Sequence, residues 1–338
     1  MTGVFIFTAV LSCVGFADES TLEGEMLTQG VYSYDAETQT ETYEEITFDE
    51  ESQQAYVSYS SESDVVKSDE GYEVEFDESV LVNEYVESEL TDNTNEDTDD
   101  PIIEPYRLYG SDNRYEITRP DLSGRYRNTC RLVIMNNNGD TFKGTGFILS
   151  DNYIVTAGHC VYNKHDFGGW AKSITVYPAF YNTTAPYGFV KGTAYTCGSG
   201  WYDNENIEQD WGIIKINSNF VSKCGYLGLR YQGNSYEDDY VQVTGYPHYV
   251  GDGLSKDVYG RHMYTHSEKV SGDTSSLVCY QKLDTSGGQS GAPVIETYSD
   301  TGDTVIAIHR GTNNKNVNCG VRLSEWLFDY LVDLRHNG

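Results

Sequence analysis

Positive charge is what this chain has least of. Its 338 residues carry 22 Lys and Arg against 53 Asp and Glu, a formal charge of −31. That balance repels phosphate and no basic stripe interrupts it, which excludes a nucleic-acid-binding role. Long apolar runs are equally scarce, and none after residue 17 could span a bilayer. No internal repeat is visible. Metal-type spacing is nearly absent. His262 and His266 are four apart, but that pattern serves a metal only on a helix, and Gly260 with the surrounding Tyr, Thr and Ser argues against one. Glu237-Asp238-Asp239 has the chemistry for a structural calcium ion but reads as a solvated loop, so no metal or cofactor is expected.

The charge deficit is local. Residues 18–106 hold 29 acidic residues and one lysine, a net of −28, while residues 107–338 come to −3. A segment that charged, with few large aliphatics, struggles to offset its ordering entropy by burial. Residues 18–106 therefore read as an acidic pro-segment, closing in the solvated linker Asn93 to Pro101. Alternation between Gly71 and Val86 suits a strand there, and a disordered spacer is the alternative. Residues 1–17 read as a signal peptide. Val4 to Phe16 is largely apolar and Gly15-Phe16-Ala17 is a small-x-small end before Asp18, although no Lys or Arg precedes them. Secretion is expected, with lipid attachment at Cys13 as the lesser alternative. Six further cysteines, at 130, 160, 197, 224, 279 and 319, suit disulfides in an exported domain, and buried free thiols are the alternative.

From about residue 107 short strands alternate with Gly, Asn, Asp and Ser turns, an all-β signature. Strands are expected at Arg131 to Met135, Gly146 to Leu149, Tyr153 to Ala157, Trp211 to Ile216, Val241 to Thr244, Leu277 to Lys282, Val305 to His309 and Gly320 to Leu323. One helix closes the chain, capped by Ser324, with Trp326, Leu327, Tyr330, Leu331 and Leu334 on one docking face.

Three segments carry chemistry. Ser290 stands in Gly287-Gly288-Gln289-Ser290-Gly291, where glycines permit a tight turn that exposes a hydroxyl and presents N–H groups. A serine needs a base to act as nucleophile, and His159 in Thr156-Ala157-Gly158-His159-Cys160 follows an apolar strand that would hold it at a rim. Asp210, heading the apolar run Trp211 to Ile216, would orient the imidazole. The N–H groups of Gly288 and Ser290 would form the oxyanion hole. A serine hydrolase follows from these residues in this order.

Together with Gly110-Ser111-Asp112-Asn113-Arg114, Tyr187-Gly188-Phe189-Val190-Lys191, Thr244-Gly245-Tyr246-Pro247, Asp284-Thr285-Ser286 and Ala307-Ile308-His309, these segments carry a resemblance. The stretch from about Leu108 to Arg335 resembles the bacterial glutamyl endopeptidases, chymotrypsin-fold serine proteases that cut after Glu and less readily after Asp. The resemblance implies two six-stranded antiparallel β-barrels, about 107–225 and 226–338, with a C-terminal helix. His159 and Asp210 would come from the first barrel and Ser290 from the second. It places Thr285 and His309 in the specificity pocket, where both can donate hydrogen bonds to a substrate carboxylate.

Asp284 points the other way, because trypsin-like enzymes use an acid six residues before the nucleophile to bind Lys or Arg. Basic specificity is thus one alternative, and a non-catalytic binding protein on this scaffold is another. Gln289 cannot form the ion pair with a new amino terminus that activates the digestive enzymes. The resemblance instead places the mature terminus beside the pocket, near Arg107 or Leu108, by cleavage after Glu104 or Arg107. The Glu-rich pro-segment would be a substrate of the enzyme and an inhibitor of it, as a pseudo-substrate. The fold suggests the pairings Cys130–Cys160, Cys197–Cys224 and Cys279–Cys319. Close relatives can pair the cysteine after the histidine with one before the Thr-Gly-aromatic strand, a cysteine that Lys143-Gly144-Thr145-Gly146-Phe147 lacks. A monomer acting on protein or peptide substrates, with no membrane or nucleic-acid partner, is expected.

Overall fold

A computed structural model describes residues 26–49, 106–299 and 302–337. The expected signal peptide, Cys13 and the alternating stretch Gly71 to Val86 lie outside the described residues.

Two antiparallel sheets form the body. Nine strands make the first, and its central six run in the spatial order Ser173–Pro178, Thr129–Met135, Thr141–Ile148, Tyr153–Thr156, Gly212–Lys215, Ala194–Gly198. The main strands of the second run Leu277–Cys279, Asn318–Arg322, Gly302–Thr312, Pro293–Tyr298, Tyr240–Gly245, Met263–Lys269. The β-rich fold read from the sequence is therefore present, and each of the eight expected strands has a counterpart within a few residues. The alternation that marks them is physical: Ile174 and Val176 face inward while Ser173, Thr175 and Tyr177 are half-exposed.

Contacts run between the two sheets. Tyr115–Ile117 pairs with Met263–Lys269 in the second sheet. The C-terminal helix Glu325–Asn337 reaches back, packing Trp326 at a tilt and Tyr330 edge-on against Trp211 of the first. Ser324 caps it as expected, its hydroxyl accepting from the Leu327 N–H at 3.3 Å.

Two corrections follow. The first concerns the acidic segment, part of which is neither a spacer nor solvated on all sides. Strand β1, Met26–Asp35, and strand β2, Thr40–Asp49, form a hairpin, and β1 adds to the first sheet beside Ala194–Gly198. The charged residues collect on the outer strand, whereas β1 supplies Val31, Tyr32 and Tyr34 to the interface. The second correction concerns the cysteines: all six described residues are free thiols, and none of the three expected disulfides is formed. Cys279 and Cys319 do sit opposite each other on paired strands. Cys160 instead points its thiol at the Ser290 carbonyl, and Gly144 explains its lack of a partner. A Cβ at Gly144 would lie 3.1 Å from the Cys160 sulfur, so the place a bridging cysteine would take is held by a glycine.

Candidate active site

His159 sits in a single helical turn, Gly158–Val161, directly after the strand Tyr153–Thr156. Gly158 must be small, since a Cβ there would press on Trp201 and on the Asp210 carboxylate. Asp210 is fully buried at the mouth of the next strand in the sheet. Its Oδ1 accepts the His159 backbone N–H at 2.8 Å, and its Oδ2 lies 2.8 Å from the ring Nδ1. Burial opposes the imidazolium, but the Asp210 carboxylate outweighs it and raises the His159 pKa above its ordinary 6.5. Burial likewise opposes the carboxylate, and His159 with Arg310 outweighs it, holding Asp210 at about 2.

Arg310 is a residue that the sequence reading missed. Its Nε donates to Asp210 Oδ2 at 3.0 Å, and its side chain is almost buried. Nothing in the sequence marks it except its place directly after His309.

Ser290 lies in a turn shaped by two glycines, its carbonyl within reach of the Cys160 thiol next to His159. Gly288 and Gly291 have φ of +92° and +86°, and a Cβ on either would strike backbone oxygen, of Tyr246 and of Thr145 respectively. The first sheet grips this turn through Thr145, whose N–H donates to the Ser290 carbonyl and whose hydroxyl donates to the Gly288 carbonyl, both at 2.8 Å. Among the described residues, the chain leaves the N–H groups of Gly288 and Ser290 and the Ser290 hydroxyl without hydrogen-bond partners. His159, Cys160, Phe142, Tyr249 and Gly288 line one cavity of about 280 Å³, with Tyr106 at its edge.

The residues expected in the specificity pocket are all buried. The Thr285 hydroxyl has no hydrogen-bond partner. His309 Nδ1 lies 2.6 Å from the Tyr280 hydroxyl. Burial, reinforced by Arg310, lowers the His309 pKa to about 3, so the imidazole is neutral. Burial also pushes the Tyr280 hydroxyl well above 10, so it keeps its proton. A protonated hydroxyl can donate to Nδ1, and the ring then carries its own proton on Nε2.

Asp284 is equally buried but fully engaged. It accepts the Tyr109 N–H at 2.7 Å, the Asn113 N–H at 2.9 Å and the Asn113 side-chain amide at 3.0 Å. Its own N–H donates to His266 Nδ1 at 2.8 Å, while His262 bonds Glu116, so the two histidines serve different partners. Gln289 has a cation after all. Arg114 Nη1 donates to its side-chain oxygen at 2.8 Å, and Arg114 pairs with Asp112 at 2.7 Å in a closed environment.

The chain was compared with known proteins. A family model described as Trypsin matches residues 125–322. A Bacillus subtilis protein named extracellular metalloprotease is 33% identical over 229 residues, spanning 67% of this chain and 69% of the relative. A glutamyl endopeptidase of Bacillus licheniformis is 30% identical over 246 residues, 70% of this chain and 72% of the relative. Among solved structures, a Glu endopeptidase in complex with MPD matches with a TM-score of 0.57 at 23% identity, over 68% of this chain and 99% of that one. The protease Anisep from Arthrobacter nicotinovorans matches with a TM-score of 0.52 at 18% identity, over 67% of this chain and all of that one. The Bacillus subtilis name raises the question of a metal. Among the described residues no group of three His, Cys, Asp or Glu side chains is placed to hold one.

Proposed function

The chain belongs to the trypsin family and is a serine endopeptidase, and from that premise we propose that it is a secreted enzyme, made as a zymogen, that cuts peptide bonds after glutamate. In this reading Ser290 Oγ attacks the scissile carbonyl carbon while His159 Nε2 takes its proton. Asp210 holds Nδ1–H and stabilises the imidazolium. The N–H groups of Gly288 and Ser290 receive the oxyanion, and their lack of internal partners leaves them available for it. His159 then gives its proton to the leaving amine, and water hydrolyses the acyl-enzyme by the same route. The Ser290 hydroxyl is unpaired without substrate, and such contacts commonly tighten only in the complex.

The observation that carries the Glu preference is the state of Asp284. Its carboxylate is consumed by Tyr109 and Asn113, which leaves no free anion to receive Lys or Arg. The groups left over nearby are donors: the unpartnered Thr285 hydroxyl and the neutral His309 imidazole. Both suit a carboxylate. Processing near Arg107 fits the same geometry. The Arg107 carbonyl accepts the Thr285 N–H at 3.2 Å, so a new amino terminus there would lie beside the pocket.

Matched peptides differing only in Glu or Arg at the cleaved position test the proposal, with Ser290→Ala as control. The expected result is strong preference for Glu and no turnover by the variant. Preference for Arg, or full activity in Ser290→Ala, overturns it.

A further inference from the structure

The β1–β2 hairpin precedes the expected cleavage position, yet it is built into the protease. Backbone pairing joins it to Ala194–Gly198 from Val31↔Gly198 to Asp35↔Ala194. Val31 is buried in the cluster that holds Trp211, Phe147 and Leu327. Tyr32 stacks on Tyr202 with ring centroids 3.9 Å apart, and Tyr34 stacks on Trp170 at 5.6 Å. Polar anchors reinforce the packing. The Tyr202 hydroxyl donates to Glu41 at 2.8 Å, the Trp170 indole donates to the other oxygen of Glu41, and the Trp326 indole donates to the Ile46 carbonyl at 3.0 Å.

This contact runs to the candidate active site. The helix Ser199–Asn204 rests on β1, where Ser199 approaches Gly30, and its Trp201 meets the His159 ring edge-on at 6.1 Å. Trp211, which shares the Val31 cluster, directly follows Asp210. The hairpin therefore backs the segment that presents the His–Asp couple. β1 is hydrogen-bonded on both sides, so it cannot enter a protease cleft as an extended strand without first opening.

We propose that the hairpin stays on the mature enzyme as a separate, non-covalently held chain after the connection between residues 50 and 105 is cut, completing the first sheet and backing the Asp210 segment. The proposal rests on the reading that the chain is processed near Arg107. It limits self-digestion of the pro-segment, because Glu37, Glu41, Glu44 and Glu45 are held within the docked hairpin. Loss of the hairpin is effectively one-way, since an isolated two-stranded hairpin is marginally stable in water and would be cut once free.

The sequence offers a clean probe. Lys67 is the sole Lys or Arg between the hairpin and Tyr106. Brief trypsin treatment of the full Ser290→Ala chain cuts after it without help from the enzyme's own activity. Native size-exclusion with intact-mass detection should then show the fragment ending at Lys67 co-eluting with the protease body, and separating only in denaturant. Hydrogen exchange should show amide protection at Tyr32 to Tyr34 unchanged by the cut. Elution apart under native conditions, or lost protection, overturns the proposal. In a second chain, Val31→Asp with Ser290→Ala, the fragment should be released, and its retention would refute docking through this interface. Because Ser290 is already replaced and trypsin makes the cut, these results stand whether or not Ser290 is the nucleophile or Arg107 the processing site.

Discussion

Asp210 and Asp284 are both entirely buried and both read from the sequence as candidates for function, yet the fold surrounds them with different partners. Asp210 is met by an imidazole and a guanidinium. Asp284 is hydrogen-bonded by backbone and side-chain amides from a segment more than 170 residues earlier, while the nearby His266 Nδ1, 3.6 Å from the carboxylate, is occupied in accepting the Asp284 N–H. Amides satisfy a carboxylate without titrating and leave nothing for a substrate, whereas an imidazole can take up a proton that the carboxylate then stabilises. The donors around a buried carboxylate, more than its position in a motif, decide whether it works or merely holds the chain.

Substituting each aspartate by asparagine is the strongest way to break this comparison. Asp210→Asn should lower kcat by about 10⁴-fold, the scale seen when a triad imidazole loses its orienting anion. Asp284→Asn should leave kcat on Glu peptides within about tenfold and create no cleavage after Arg. Equal losses in steady-state assays would mean that the two carboxylates share one role.

Thr285→Val removes a donor from the pocket without changing its shape. It should cost roughly tenfold or more in kcat/KM on Glu peptides, with little effect on a matched Gln peptide. Arg310→Met sharpens the Asp210 side. In the wild type, His159 must be neutral to act, and its raised pKa places the acid limb of kcat/KM above 6.5, with activity falling as pH drops through it. Removing the cation beside Asp210 should move that limb upward by about one pH unit, and an unmoved or lowered limb would show that Arg310 does not act on the couple. The smallest effect belongs to stability: Asp284→Asn should cost about 1–3 kcal/mol in denaturant unfolding by weakening charge-assisted bonds to Tyr109 and Asn113.

Much of this was legible in the residues. Strands with alternating Ile and Val were found because one face of each is buried. His159, Asp210 and Ser290 stand out as candidates because glycines and small residues beside them have mechanical causes, and the fold places His159 on Asp210. The engagement of Asp284 was not legible, because donors so distant in sequence leave no local trace. Arg310 and Tyr280 went unnoticed because each makes its contact through tertiary folding alone. The hairpin was hidden for a different reason. β2 carries Glu41, Glu44, Glu45 and Asp49, so its composition is that of a solvated spacer, while what orders it is pairing with β1.

That same strand ends its sheet, with no further strand beside it among the described residues. An open sheet edge is an invitation to stack with other chains, and a row of like charges withdraws the invitation. Two copies approaching edge to edge would bring carboxylates against carboxylates at low separation. The acidity of this strand thus acts as a colloidal safeguard, keeping a tyrosine-rich β protein dispersed where its local concentration is high.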